Sequence, residues 1–177
     1  YTAEMLGLEK DNYQIGGLAW EYIASKDISN VELRVMLGTT DKDTYNTNRP
    51  AFETKDNRVV YEGKVSFTKD EGDNVYKWLN VLFPQNTFEL SKDQNLVVTV
   101  FMNETANNGE FPVLFKVFNS PDAGPNTSDK LTHTLSGRDN KDFNLDNVSK
   151  IYTAPELPTL HIGENLAGVG VDAVGAD

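Results

Sequence analysis

The chain has 177 residues, a net charge of −11, a pI near 4.6 and no cysteine. The length suits one domain. The acidic balance argues against nucleic acid and anionic membrane surfaces, both of which need clustered Lys and Arg. Without cysteine there is no disulfide framework, no thiolate metal site and no Cys nucleophile. Cations, neutral sugars and basic protein surfaces remain open as partners.

Taken in chain order, the pattern is one of period-two runs broken by Asp, Asn, Gly and Pro, the signature of an all-β fold. A first strand is expected over 15–23. In "NVELRVMLG" Val31, Leu33, Val35 and Leu37 share one face, with Glu32 and Arg34 on the other. In "RVVYEGKVSF" Val59, Tyr61, Val65 and Phe67 alternate with Glu62, Lys64 and Ser66. Both read as strands with one wet face. "VYKWLNVLF", residues 75–83, is apolar on both faces, and so is "NLVVTVFMNETANNGEFPVLFKVF", residues 95–118. The latter reads as a hairpin turning at Asn108-Gly109, with both arms buried on two sides as central strands are. Further strands are expected at 130–135 and 157–162, where Pro155 and Pro158 suggest an edge or an extended crossing for the last. The expected domain spans 1–163, and 164–177 is a Gly-rich tail, a linker or a last strand. No run reaches the roughly 18 apolar residues of a membrane-spanning helix. The chain opens on Tyr1 rather than Met, as a processed or trimmed piece would.

Catalytic signatures are missing. His133 and His161 are the only histidines, both inside expected strands. Neither a G-x-S-x-G elbow nor an H-E-x-x-H pair is present. Oxygen ligands on alternate loop residues are how Ca²⁺ gathers its contacts, and "DKDTYNTN" places Asp41 and Asp43 in that spacing, followed by Asn46 and Asn48. "GRDNKDFNLDN" supplies Asp139, Asp142 and Asp146, and "TKDEGDN" supplies Asp70, Glu71 and Asp73. The EF-hand pattern fails, since Asn46 and Phe52 stand where Gly and Glu would be required. Asp and Asn also favour turns for their own sake, so each loop has a purely structural reading beside the calcium one. Trp20 and Trp78 could stack on sugar rings if exposed. Both fall within strands, which favours core packing; Tyr22, Tyr45, Tyr76 and Tyr152 are ambiguous in the same way. Three N-x-[ST] sequons, at Asn103, Asn126 and Asn147, are about what chance gives in so Asn-rich a chain.

The succession "VELRVMLGTT", "VVYEGKV", "YKWLNVLFPQNTFELSKDQNLVVTVFMNE" resembles jelly-roll β-sandwich modules of secreted, multi-domain surface proteins of Bacteroidetes-type bacteria, cleaved-adhesin modules among them. The matching positions are Leu37, Gly38 and Thr39 in a small turn; Tyr61 and Gly63; Trp78, Val81, Phe83 and Phe88; and Asn95 to Val98. The resemblance covers roughly residues 15–118 and rests mostly on core and turn positions. It implies that Asn95 caps a turn, that Trp78 packs in the core, and that the module is adhesive or carbohydrate-binding-like, some relatives carrying structural calcium.

The reading that joins these observations is an all-β, two-sheet antiparallel β-sandwich, jelly-roll-like. It would serve as a non-catalytic module of a secreted or cell-surface bacterial protein, in adhesion or carbohydrate attachment. Expected partners are a glycan, a host or matrix protein, or neighbouring modules, with no nucleic acid and no membrane insertion. Ca²⁺ is the one cofactor suggested, on Asp41, Asp43, Asp139 and Asp142. The alternatives are a spacer or polymerising subunit of a surface filament, whose edge strands a neighbouring chain completes, and a small glycan hydrolase or lyase on the same scaffold.

Overall fold

The computed structural model describes residues 1–44, 56–83, 88–103, 112–119, 134–138, 149–154, 156–163 and 172–174. One helical turn, α1 (Ala3–Leu6), opens the chain. The Thr2 hydroxyl accepts the Met5 N–H, and Gly7 closes the turn at φ 58°, donating its N–H to the Ala3 carbonyl. Both end signals are local.

Strands follow in the order β1 (Tyr13–Ile15), β2 (Gly17–Ala24), β3 (Ile28–Thr40), β4 (Arg58–Phe67), β5 (Lys77–Leu82), β6 (Phe88–Leu90) and β7 (Asn95–Asn103). Next come β8 (Val113–Phe115), β9 (Val117–Asn119), β10 (Thr134–Arg138), β11 (Ser149–Ala154), β12 (Glu156–Pro158), β13 (Leu160–Gly163) and β14 (Asp172–Val174). Two antiparallel sheets carry the sandwich. One is ordered β4-β3-β7 and the other β14-β13-β2-β5. Tyr22 pairs with Lys77 of β5 on one side and Phe115 of β8 on the other, so β8 prolongs the β13 side of β2. The pairs β1-β6, β9-β12 and β10-β11 form small separate ladders.

The core lies between the two sheets. Val31, Leu33, Val35 and Leu37 of β3 belong to one buried cluster with Leu18, Trp20 and Tyr22 of β2, Leu79 and Val81 of β5, and Leu160 and Ile162 of β13. Phe67, at the end of β4, meets Tyr22 edge-on at 5.0 Å between ring centroids and Phe115 at 6.1 Å, joining the sheets at one end. Each such side chain contributes about 1.5–3 kcal/mol on burial. The all-β sandwich expected from the alternating pattern is the fold.

Several details differ from expectation. Residues 95–118 are not a hairpin. β7 pairs with β3 in the first sheet and β8 with β2 in the second, so the chain crosses from one sheet to the other. Asn108-Gly109 lies outside the described residues. Two-sided burial holds for β7, where Leu96 on one face and Val97 and Phe101 on the other are all buried. It fails for β5 and β8, whose outward Trp78, Leu82 and Leu114 are exposed. At the start of β4 it is Val60 (5% exposed) rather than Val59 (39%) that is buried. Tyr61 pairs with Val35 but Val59 with Met36, so Val60 is the extra residue of a bulge, and a bulge reverses the face of everything beyond it. Leu37, Gly38 and Thr39 do not turn. They continue β3 opposite Val98, Val97 and Leu96. Pro158 does end the short β12, but β13 is an interior strand, flanked by β2 and β14.

Candidate functional site

Strand parity sends the two tryptophans to opposite sides of the same sheet. Trp20 pairs with Leu160 and Leu79 and points into the core, 5% exposed. Trp78 pairs with Glu21 on the opposite, outward face and is 41% exposed. The core expectation holds for Trp20 and is overturned for Trp78. Within "KWLNVL" the clue was Asn80, which shares Trp78's face while Leu79 and Val81 share the other.

His161 stands on that same outward face, opposite Ala19 of β2. The Trp78 and His161 rings meet across β2 with centroids 4.1 Å apart and planes inclined at 61°. The contact is diagonal, since His161 stands opposite Ala19 and Trp78 opposite Glu21, and the small Ala19, itself almost wholly covered, leaves room for it. Two residues along β2, the Glu21 carboxylate takes an ion pair from the Lys116 ammonium at 2.9 Å. Lys116 is held there by its backbone, whose N–H donates to the Glu21 carbonyl and whose carbonyl accepts from Thr159. Its ammonium also lies 5.8 Å from the centroid of the exposed Tyr76 ring, within cation–π range. Partial burial pulls the His161 imidazole below its ordinary pKa, while Glu21 raises it and Lys116 lowers it. Trp78, Tyr76, His161, Glu21 and Lys116 thus form one patch: two partly exposed rings beside fixed hydrogen-bonding groups.

Glu21 and Lys116 escaped the sequence reading because nothing in their spacing, nearly a hundred residues apart, links them. His161 had looked like an ordinary strand residue.

The acidic loops give a different picture. Asp43 Oδ1 accepts from Asn95 Nδ2 at 2.9 Å, and the same amide donates to the Lys42 carbonyl at 3.1 Å. Asn95 Oδ1 accepts the Ala3 N–H at 2.7 Å. Asn95 therefore ties the 41–43 loop and α1 to the start of β7, a wider task than capping a turn. Beside it lies a cavity of about 30 Å³ lined by Tyr1, Thr2, Thr40, Lys42, Asp43 and Leu96, among others, room on the scale of one water molecule. Asp70 fits the turn reading: its carboxylate accepts the Asn74 N–H at 3.3 Å, and Gly72 and Asn74 both have positive φ. Asp139, Asp142, Asp146 and His133 lie outside the described residues, as do Asn46 and Asn48. Among the described residues no group of three His, Asp or Glu side chains could hold a metal.

No protein-family model matches this chain, and neither the curated proteins nor the solved structures contain a significant match to it.

Proposed function

We propose that the chain is a non-catalytic β-sandwich module of a secreted or cell-surface protein that attaches to glycans through the outward face of its five-stranded sheet. The observation that carries this reading is the Trp78 platform, a large ring left exposed near the start of β5 with an ion pair beside it. A pyranose presents a face of C–H groups whose partial positive charge suits the negative face of an aromatic ring. Its rim of hydroxyls needs donors and acceptors, which Glu21, Lys116 and His161 supply. Tyr76, two residues before Trp78, offers a second ring for an adjoining sugar along the same strand direction. The adhesin-like resemblance of residues 15–118 points the same way, and Ca²⁺ on Asp41, Asp43, Asp139 and Asp142 would add stability to the folded module.

A glycan array probed with wild type and Trp78→Ala, in calcium and in EDTA, tests the reading. Selective binding by the wild type, weakened at least about tenfold by Trp78→Ala, is expected, a loss of about 1.4 kcal/mol or more. The variant's melting temperature should stay within a few degrees of wild type. A wild type that binds no glycan, or a variant that binds as well, sinks the proposal and turns attention to host or matrix proteins.

A further inference from the structure

The outer edge of β7 has an unusual character for the flank of a sandwich. No described residue pairs with it beyond Leu96, whose N–H and carbonyl exchange hydrogen bonds with Tyr1, both at 2.9 Å. A residue that gives and takes both bonds with one partner is one rung of an antiparallel ladder. The edge is thus already started in the antiparallel sense. Backbone groups alternate sides along a strand, and the β3–β7 register runs unbroken from Asn95 to Asn103. The N–H and C=O groups of Val98, Val100 and Met102 therefore aim outward like those of Leu96.

Among the described residues, none covers the core on this flank. Leu96, Val98, Val100 and Met102 face inward, opposite Thr39, Leu37, Val35 and Leu33. Val35 is fully buried, yet its partner Val100 is 38% exposed. An inward-facing side chain that still sees solvent marks the place where one more strand would cover the core. Nor is the edge guarded. "NLVVTVFMN" contains no charge, proline or glycine, whereas β4, at the far side of the same sheet, carries Arg58, Glu62 and Lys64 and the bulge at Val60. Those are the devices that keep strand edges from pairing.

We propose that the outer edge of β7 pairs antiparallel with β7 of a second copy of this chain. The two-fold axis would pass at Val100, so that Val100 meets Val100 and Val98 meets Met102. Self-pairing suits this strand because an isologous antiparallel contact places the same segment on both sides, and this segment has no charge to oppose its own image. The Leu96 rung stays with Tyr1, so the partner's strand pairs over Val98 to Met102. Each Val100 covers the other's exposed flank, and the sheet becomes six strands continuous across the dimer. The net charge of −11 opposes the approach of two copies, and salt screens that repulsion.

Analytical ultracentrifugation of the whole chain, from micromolar to millimolar and at low and high salt, is the experiment. A concentration-dependent dimer strengthened by salt is expected. Val100→Lys and Val100→Pro should stay folded and monomeric; the Val100 N–H points away from β3, so proline there removes no β3–β7 ladder bond. Val100→Cys supplies the single thiol of a cysteine-free chain. Directly opposed residues lie about 5.5 Å apart at Cα, within disulfide range, so it should cross-link far faster than Leu114→Cys on the other sheet. A chain monomeric throughout, with equal cross-linking at both positions, overturns the proposal. So does a monomer whose Val98, Val100 and Met102 amides exchange slowly, because another segment of the same chain would then hold the edge.

Discussion

Thr159 is fully buried at the joint between β12 and β13, and its hydroxyl has no hydrogen-bond partner among the described residues. Its backbone is well placed, donating to the Lys116 carbonyl and so helping to hold one corner of the aromatic patch. The hydroxyl itself only costs desolvation, which a methyl group of the same shape would not. Thr159→Val is therefore expected to raise stability by about 1 kcal/mol, or roughly 2–4 °C in a thermal melt for a chain of this size. A lower melting temperature would show that the hydroxyl does have a partner. Gly63 illustrates the opposite case, a residue whose neighbour uses its smallness. A Cβ there would lie 2.5 Å from the Tyr61 hydroxyl, so the Tyr-x-Gly spacing reflects a ring folded over a bare backbone on one face of β4. That spacing was visible in the sequence. The fates of Trp20 and Trp78 were not, because residue type and strand membership are the same for both and only the facing layer separates them.

At the scale of elements, β3 was the most legible. Its four inward residues follow strict alternation, and all four are buried as the pattern required. The bulges were hidden because an extra residue leaves composition unchanged and shifts only the pairing. One falls in β3 itself, between Ile28 and Val31, where Asn30 takes φ 61°. Asparagine tolerates that left-handed conformation and most other residues do not. Asn30→Ala should cost about 1 kcal/mol and Asn30→Gly nearly nothing, read from denaturant midpoints. Equal stability for both variants would mean that the backbone strain there is negligible. The false hairpin at 95–118 has a similar origin. Adjacent apolar runs with a turn signal between them satisfy every local criterion for pairing, but β3 offers β7 a nine-residue register and β2 offers β8 an edge in the other sheet. Nothing local encodes those competitors.

For the whole molecule, the acidic balance and the missing cysteines leave packing and hydrogen bonding to carry stability, with calcium as the proposed supplement. If the loops holding Asp41, Asp43, Asp139 and Asp142 bind Ca²⁺, a thermal melt in EDTA should fall several degrees below one in millimolar calcium. Saturation at a hundred times Kd contributes about 2.7 kcal/mol to the native state alone. Identical melts in both buffers would remove calcium from the account. That result would leave the glycan and dimer proposals standing, because neither Trp78 nor Val100 depends on the loops.

The sequence by itself determined that this chain is all-β and which face of β3 turns inward, because alternation at period two is written residue by residue and burial has only to follow it. It also limited which residue types take positive φ, since Asn, Asp and Gly are nearly alone in accepting it, as Asn12, Asn30, Asp56, Asn74, Gly7 and Gly72 do. Which strands pair, which sheet face stays wet, and where the core is left open were decided only by tertiary structure. Those outcomes depend on competition among segments far apart in the chain, and no single segment carries the energy of the alternatives it loses to.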